Sequence, residues 1–205
     1  LGFNSCMAYR RTERVEARLS ASRERILSAA LEIVAEHGYA GCSVAAVADR
    51  AGVATGSVYR HFPAKAELVA EVFRTASQRE VDAVARAGEL EATVHERIAS
   101  VIETFAGRAL RSPRMAYALL AEPVDPAVDA ERLVFRREYA RVFAAFIRTG
   151  VESGELPEQD PELSGTALVG AIGEALVRPL AIGKATPQTI PDLIRFAQRA
   201  LGATP

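Results

Sequence analysis

The stretch Cys42-Ser-Val-Ala-Ala-Val-Ala-Asp-Arg-Ala-Gly-Val-Ala-Thr-Gly-Ser-Val-Tyr-Arg-His-Phe-Pro-Ala-Lys65 constrains the chain more than any other. Ser43 can cap a short helix whose apolar positions Val44, Val47, Ala48 and Ala51 fall at i, i+3, i+4 and i+7, one buried stripe. Gly52 breaks that helix and Val53 points inward. A second short helix runs from about Thr55 to Phe62, and Pro63 turns the chain. Two short helices about a glycine turn form the unit whose second helix enters the major groove of DNA. Ala48 is small enough for the helices to cross closely, and Val47, Val53 and Val58 fill the angle between them. The second helix leaves Thr55, Gly56, Ser57, Tyr59, Arg60 and His61 exposed, a polar, aromatic and basic face with no acid to repel phosphates. On pattern alone the stretch also fits a solvated helical hairpin.

The rest of the sequence reads as helix too. Alanine-rich runs, few alternating β-branched stretches and no Trp predict an all-α protein of about nine helices. A helix capped by Ser22 carries Ile26, Leu27, Ala30, Ile33 and Val34 at helical spacing, and Gly38 ends it in a left-handed conformation. A fourth helix spans Lys65 to about Ala87. Further segments run over about Thr93–Ser112, from Pro113, over Ala127–Ser153, Pro161–Lys184 and Pro191–Leu201, with Pro and Gly at their borders. Residues 1–21 form a polar N-terminal arm.

Charge and chemistry narrow the function. Residues 1–65 hold nine Lys/Arg against six Asp/Glu, and residues 66–205 sixteen against twenty, so a basic end sits on an acidic body. No run of about 18 apolar residues is free of charge, so no membrane span is expected. Arg10 and Arg11 follow the apolar start rather than precede it, the wrong order for a signal peptide. Cys6 and Cys42, two cysteines far apart, fit reduced thiols, and the chain reads as cytoplasmic. His37, His61 and His95 converge with nothing, and no His-x-x-x-His or Cys-x-x-Cys pair offers a metal site. Gly170-Ala-Ile-Gly173 lies mid-helix with no Lys after it, unlike a phosphate loop. Neither catalysis, metal nor cofactor is expected.

Residues 22–70 resemble the DNA-binding part of the TetR family of bacterial regulators. The resemblance rests on Ala45–Ala51, Gly52-Val53, Gly56-Ser57, Tyr59, His61-Phe62 and Lys65, followed by Glu67-Leu68. It implies a helix-turn-helix domain over 22–70 and a ligand-binding and dimerisation domain over 71–205. It also implies a homodimer on a near-palindromic double-stranded DNA operator, usually a repressor released by a small molecule. Ser43, Ser57, Tyr59, His61 and Lys65 match family positions that hold phosphates. Thr55, Gly56 and Arg60 match positions facing base edges or the nearby backbone. Ala54 and Ala64 depart from the pattern, since the family often caps there with Ser or Thr, a loss of about 1 kcal/mol each. In the arm, Arg10, Arg11, Arg14 and Arg18 stand beside the acids Glu13 and Glu16, which leaves groove contact and a solvated tail both open.

The resemblance extends two expectations to the remaining two thirds. The small-residue helix with Gly165, Leu168, Gly170, Ile172 and Leu176, together with Leu193, Ile194, Ala197 and Leu201, resembles the family's dimer-forming four-helix arrangement. Phe73, Phe105, Met115, Tyr117, Phe135, Tyr139 and Phe143 mark where the family's cavity lies, for an amphipathic or hydrophobic ligand. Ordinary core packing is the competing reading of both sets. An all-α ligand carrier or enzyme, and a module offering Tyr59–Phe62 to a protein partner, remain as other functions.

Overall fold

The apolar periodicities become nine helices in the computed structural model, which describes residues 13–89 and 92–202; no strand occurs among those residues. They are α1 (Glu13–Gly41), α2 (Val44–Ala51), α3 (Thr55–His61), α4 (Lys65–Ala87), α5 (Val94–Arg111), α6 (Pro113–Leu120), α7 (Pro126–Ser153), α8 (Pro161–Ile182) and α9 (Thr189–Ala200). The fold class is therefore the expected one. Leu1–Tyr9, Cys6, Arg10 and Arg11 lie outside the described residues.

One start differs from the sequence reading. α1 begins at Glu13, so Ser22 is an interior residue and no cap. The intervening residues include good helix formers such as Arg14, Ala17, Arg18 and Leu19, and the Ser20 hydroxyl donates to Glu24 one turn on at 3.3 Å. Arg14 and Arg18 are thus exposed positions of a helix rather than of a loose arm.

The apolar residues sort into two cores. In the first, Ile26, Ile33 and Val34 of α1 meet Val47 and Val58 of α2 and α3 and Leu68, Val72 and Phe73 of α4. Ala118 of α6 and Val128 of α7 belong to that core as well, so it continues past residue 70. The second core lies among α5, α7, α8 and α9, around Ile98, Ile102, Phe143, Ile147 and Leu176. α4, at 23 residues about 34 Å long, runs from one core to the other, with Phe73 in the first and Val84 in the second.

α8 explains its own composition. A Cβ on Gly165 would stand 2.7 Å from the Ala140 carbonyl oxygen of α7, so the glycine lets two backbones touch within one subunit. Leu168, Ile172 and Leu176 on the same side are at most 2 % exposed, and Leu193, Ala197 and Leu201 are buried with them. At the positions where dimer contacts are expected, these side chains fill their own subunit's core. Ile194 is half-buried against the same core, and Gly170 is exposed. The outward surface is instead Leu163, Thr166, Ala167, Gly170, Ala175 and Ile182 of α8 with Phe196 of α9. Among the described residues α8 is also the one helix long and apolar enough to cross a membrane by length and composition, though Glu162, Glu174 and Arg178 interrupt it, so no charge-free run of about 18 residues occurs there. Its composition follows from one face packed on α7 and one lined by small residues.

Candidate nucleic-acid interface and cavity

Ser43 caps α2 as its spacing requires, accepting from the Ala46 amide at 3.1 Å, which leaves its hydroxyl proton for an outside acceptor. Gly52 ends α2 in the left-handed region at φ 64, where its amide donates to the Ala48 and Asp49 carbonyls. Val58 and Phe62 then anchor α3 in the first core. This fixes which way α3 faces: Thr55, Gly56, Tyr59 and Arg60 are exposed, and Ser57, His61 and Lys65 half-buried. Ala54 and Ala64 make no side-chain cap, as their composition dictates.

Three details sharpen the face. Tyr59 is 49 % exposed, so its ring projects rather than packing beneath the helix. A Cβ on Gly56 would meet nothing within 4 Å, so nothing inside the protein requires glycine there. The Lys65 ammonium lies 4.6 Å from the centre of the Tyr39 ring, and the Arg23 guanidinium 4.9 Å from that of Phe62. Burial, with the positive charges of Arg60 and Arg23, holds His61 below the ordinary imidazole range. The face therefore carries its formal charge on arginine and lysine at neutral pH, with His61 neutral.

Just behind this unit, Gly38 adopts φ 72, ψ −173, a conformation essentially confined to glycine. The sequence reading expected positive φ; the extended ψ replaces the expected left-handed turn because the chain bends here against another helix. A Cβ on Gly38 would lie 2.8 Å from a Glu122 carboxylate oxygen. That carboxylate, just beyond α6, accepts from the Tyr39 amide at 2.8 Å and the Ala40 amide at 3.2 Å. The Tyr39 hydroxyl donates to Asp125 in the same turn. Burial and the Asp125 contact push the Tyr39 phenol up to about 12. These contacts join residues more than eighty apart, and no local pattern announces them.

A cavity of about 520 Å³ opens among α4, α5, α6, α7 and α8, within the about 300–1,000 Å³ of small-molecule sites. Phe105, Met115, Phe135, Tyr139 and Phe143 line it, with Phe105 and Tyr139 edge to face at 5.3 Å between ring centres. Phe73 and Tyr117 do not. Phe73 sits in the first core under the Arg132 guanidinium, 5.9 Å from its ring centre, and Tyr117 packs against the second core. Polar residues that the aromatic pattern could not flag also face the cavity: Ser77, Glu80, Arg108, Arg132, Arg136 and Glu174. Arg108 grips Glu80 with two bonds, Nε at 2.5 Å and Nη2 at 2.8 Å. Burial pushes the Tyr139 phenol well above its ordinary range, so it stays a hydrogen-bond donor. Leu119, Leu120 and Ala121 of the α6 end line the cavity too, one residue before Glu122.

Residues 26–72 match the family model for bacterial regulatory proteins of the tetR family, and residues 91–175 the tetracycline repressor-like C-terminal domain. The fatty acid metabolism regulator protein of Bacillus subtilis is 24% identical over 155 residues, 74% of this chain and 80% of that one. The transcriptional repressor KstR of Mycobacterium tuberculosis is 49% identical over 47 residues, which are 23% of this chain and 21% of that one. Among solved structures, the regulator FadR from Bacillus subtilis in complex with stearoyl-CoA superposes with a TM-score of 0.75 at 20% identity, covering 89% of this chain and 99% of that one. A TetR regulator from Haloarcula marismortui gives 0.76 at 21% identity over 90% of this chain and 98% of that one. The readings of α2–α3 as a solvated hairpin or a protein-docking surface, and of the whole as a carrier or enzyme, give way to these matches along both halves. The chain belongs to the TetR family of bacterial transcriptional regulators.

Proposed function

We propose that this regulator is a repressor that binds a near-palindromic operator as a homodimer and leaves it when an amphipathic or hydrophobic small molecule fills the cavity. Residues 22–70 form the DNA-reading unit and 71–205 the ligand-binding and dimerisation unit, working in the bacterial cytoplasm. The observation that carries the reading is an aromatic cavity whose α6 wall leads directly into the Glu122 grip on Tyr39 and Ala40. Thr55, Gly56 and Arg60 are proposed to meet base edges or the nearby backbone, and Ser43, Ser57, Tyr59, His61 and Lys65 to hold phosphates. The exposed α3 face and its lack of acids support this assignment. The outward small residues of α8 with Phe196 are proposed as the face that meets the second copy.

The kinship with proteins named for fatty acid metabolism, and with one solved with stearoyl-CoA, makes long-chain acyl compounds the first ligands to try. The test is a gel shift on the DNA upstream of the gene, with random DNA as competitor and acyl compounds added in turn. Specific retention and its loss on ligand addition are expected. Val169→Phe, which places a ring in the cavity wall, should keep retention and abolish release. Failure of the folded wild-type protein to retain the upstream DNA overturns the proposal.

A further inference from the structure

Two hydroxyls on the wall of the aromatic cavity lack partners. Ser77 is the one polar side chain buried among the described residues, 6 % exposed, and it lines the cavity with no hydrogen-bond partner among them. Glu80 stands three residues on, on the same face of α4. Arg108 of α5 holds that carboxylate in two bonds, so the pair is neutral as a unit. Tyr139 of α7 lies within the field of both charges and bonds to neither, and its phenol has no acceptor among the described residues. Phe105 fixes its ring edge to face. A buried hydroxyl without a partner costs free energy until an oxygen meets it. The other charges of the lining are engaged or outward. Arg132 is spent on Asp129 and on the carbonyls at the end of α6, and Arg136 and Glu174, one of each sign, are exposed.

Resting on the ligand-release reading above, we propose that the effector is an uncharged amphiphile, an alcohol or a ketone. Its oxygen seats against Ser77, Tyr139 and the Glu80–Arg108 pair, and its apolar body lies among the rings. Charge and donor count do the selecting. A carbonyl oxygen has two lone pairs, and the Ser77 and Tyr139 hydroxyls offer two donors. A hydroxyl accepts from Tyr139 and donates to the Glu80 carboxylate, which keeps lone pairs beyond those that Arg108 fills. A carboxylate brought to the same place must share Arg108 with Glu80, so repulsion offsets attraction while its hydration is lost. An ammonium meets the same cancellation with the signs exchanged. Of guests with one apolar chain, the ionised acid and amine are therefore the poor ones, and the alcohol and ketone the good ones.

The test compares decan-2-one, decan-1-ol and decanoate by calorimetry on the full-length protein at about pH 8, where the acid is ionised, with operator release measured alongside. The ketone and the alcohol should each bind at least about tenfold tighter than decanoate. Tyr139→Phe should weaken the ketone at least about fivefold, and Ser77→Ala/Tyr139→Phe should weaken it further. Glu80→Gln should tighten decanoate at least about tenfold, because Arg108 is then free to take it, a gain that loss of folding does not produce. Four results overturn the inference: decanoate binding as tightly as the alcohol, a ketone affinity that survives the double variant, no gain with Glu80→Gln, or no binding of ketone and alcohol. If all three compounds bind alike, release operator and are blocked by Val169→Phe, the cavity reading stands while this one falls. If the ketone binds and releases DNA regardless of Val169→Phe, the cavity reading is the one that falls.

Discussion

Replacing Gly38 by alanine tests how the two halves are held together. The backbone at φ 72, ψ −173 costs a non-glycine residue about 1–3 kcal/mol. The new methyl would stand 2.8 and 2.9 Å from the two Glu122 oxygens, so the carboxylate must leave the Tyr39 and Ala40 amides. A hydrogen bond to a charged group is worth about 1.5–3 kcal/mol. Ala40 is exposed and Tyr39 half-buried, so screening brings the pair to about 2–3 kcal/mol rather than the full sum. Gly38→Ala alone should therefore cost about 3–6 kcal/mol, and Glu122→Ala alone about 2–3 kcal/mol. The double variant should cost no more than Gly38→Ala, because the methyl then displaces a carboxylate already gone. Urea unfolding followed by circular dichroism, at one fixed protein concentration, gives all three values. Costs that add within about 0.5 kcal/mol would refute the reasoning, since the two sites would then share no interaction.

Other outcomes follow from the recognition face and the outer face. Gly56→Ala should leave stability unchanged or raise it by about 0.5–1 kcal/mol, because nothing in the protein meets the new methyl, yet should weaken operator binding in a gel shift. Lys65→Ala should weaken operator and random DNA about equally and flatten the salt dependence by about one phosphate contact, whereas Arg60→Ala should cost about 1–3 kcal/mol on operator beyond its effect on random DNA. His61, held below its ordinary range in the free protein, favours the neutral form. Fold stability should fall as pH drops below about 6.5, while operator binding near pH 6 takes up a proton that His61→Gln abolishes, read by calorimetry in buffers of different ionisation heat. Ala167→Glu, on the outward face of α8 and away from the cavity, should convert dimers to monomers in light scattering.

Periodicity carried the reading of the fold wherever a helix buries one stripe. α2, α3 and α4 follow from Val47, Val58 and Leu68 at their spacings and from the breakers Gly52 and Pro63. The start of α1 was hidden because its first turns bury almost nothing: Val15 is exposed and Leu19 half-buried, so no buried stripe marks them. On α8 the small residues were legible but their direction was not: Gly165 and Gly170 look alike in sequence, and only the Ala140 carbonyl tells them apart. Aromatic residues found most of the cavity wall, yet Phe73, alike in chemistry, went to the other core. Glu80 of the cavity wall and Glu122 were illegible for one reason. Their partners come from other helices, as Glu80 does for Arg108 and the Tyr39 amide for Glu122.

Arg132 makes the length of α6 a quantity that can change. Its guanidinium donates to the carbonyls of Ala118, Leu119 and Glu122 at 3.1, 2.9 and 2.8 Å, closing the C-terminal end of a helix only 8 residues long. A helix that short does not persist by its own propensity. The same side chain borders the aromatic cavity. A guest that draws the guanidinium inward leaves those carbonyls without their donor, and the last turn of α6 then frays or rewinds. Glu122 is fastened to that turn, so one arginine ties the cavity wall to the carboxylate that holds the Tyr39 and Ala40 amides.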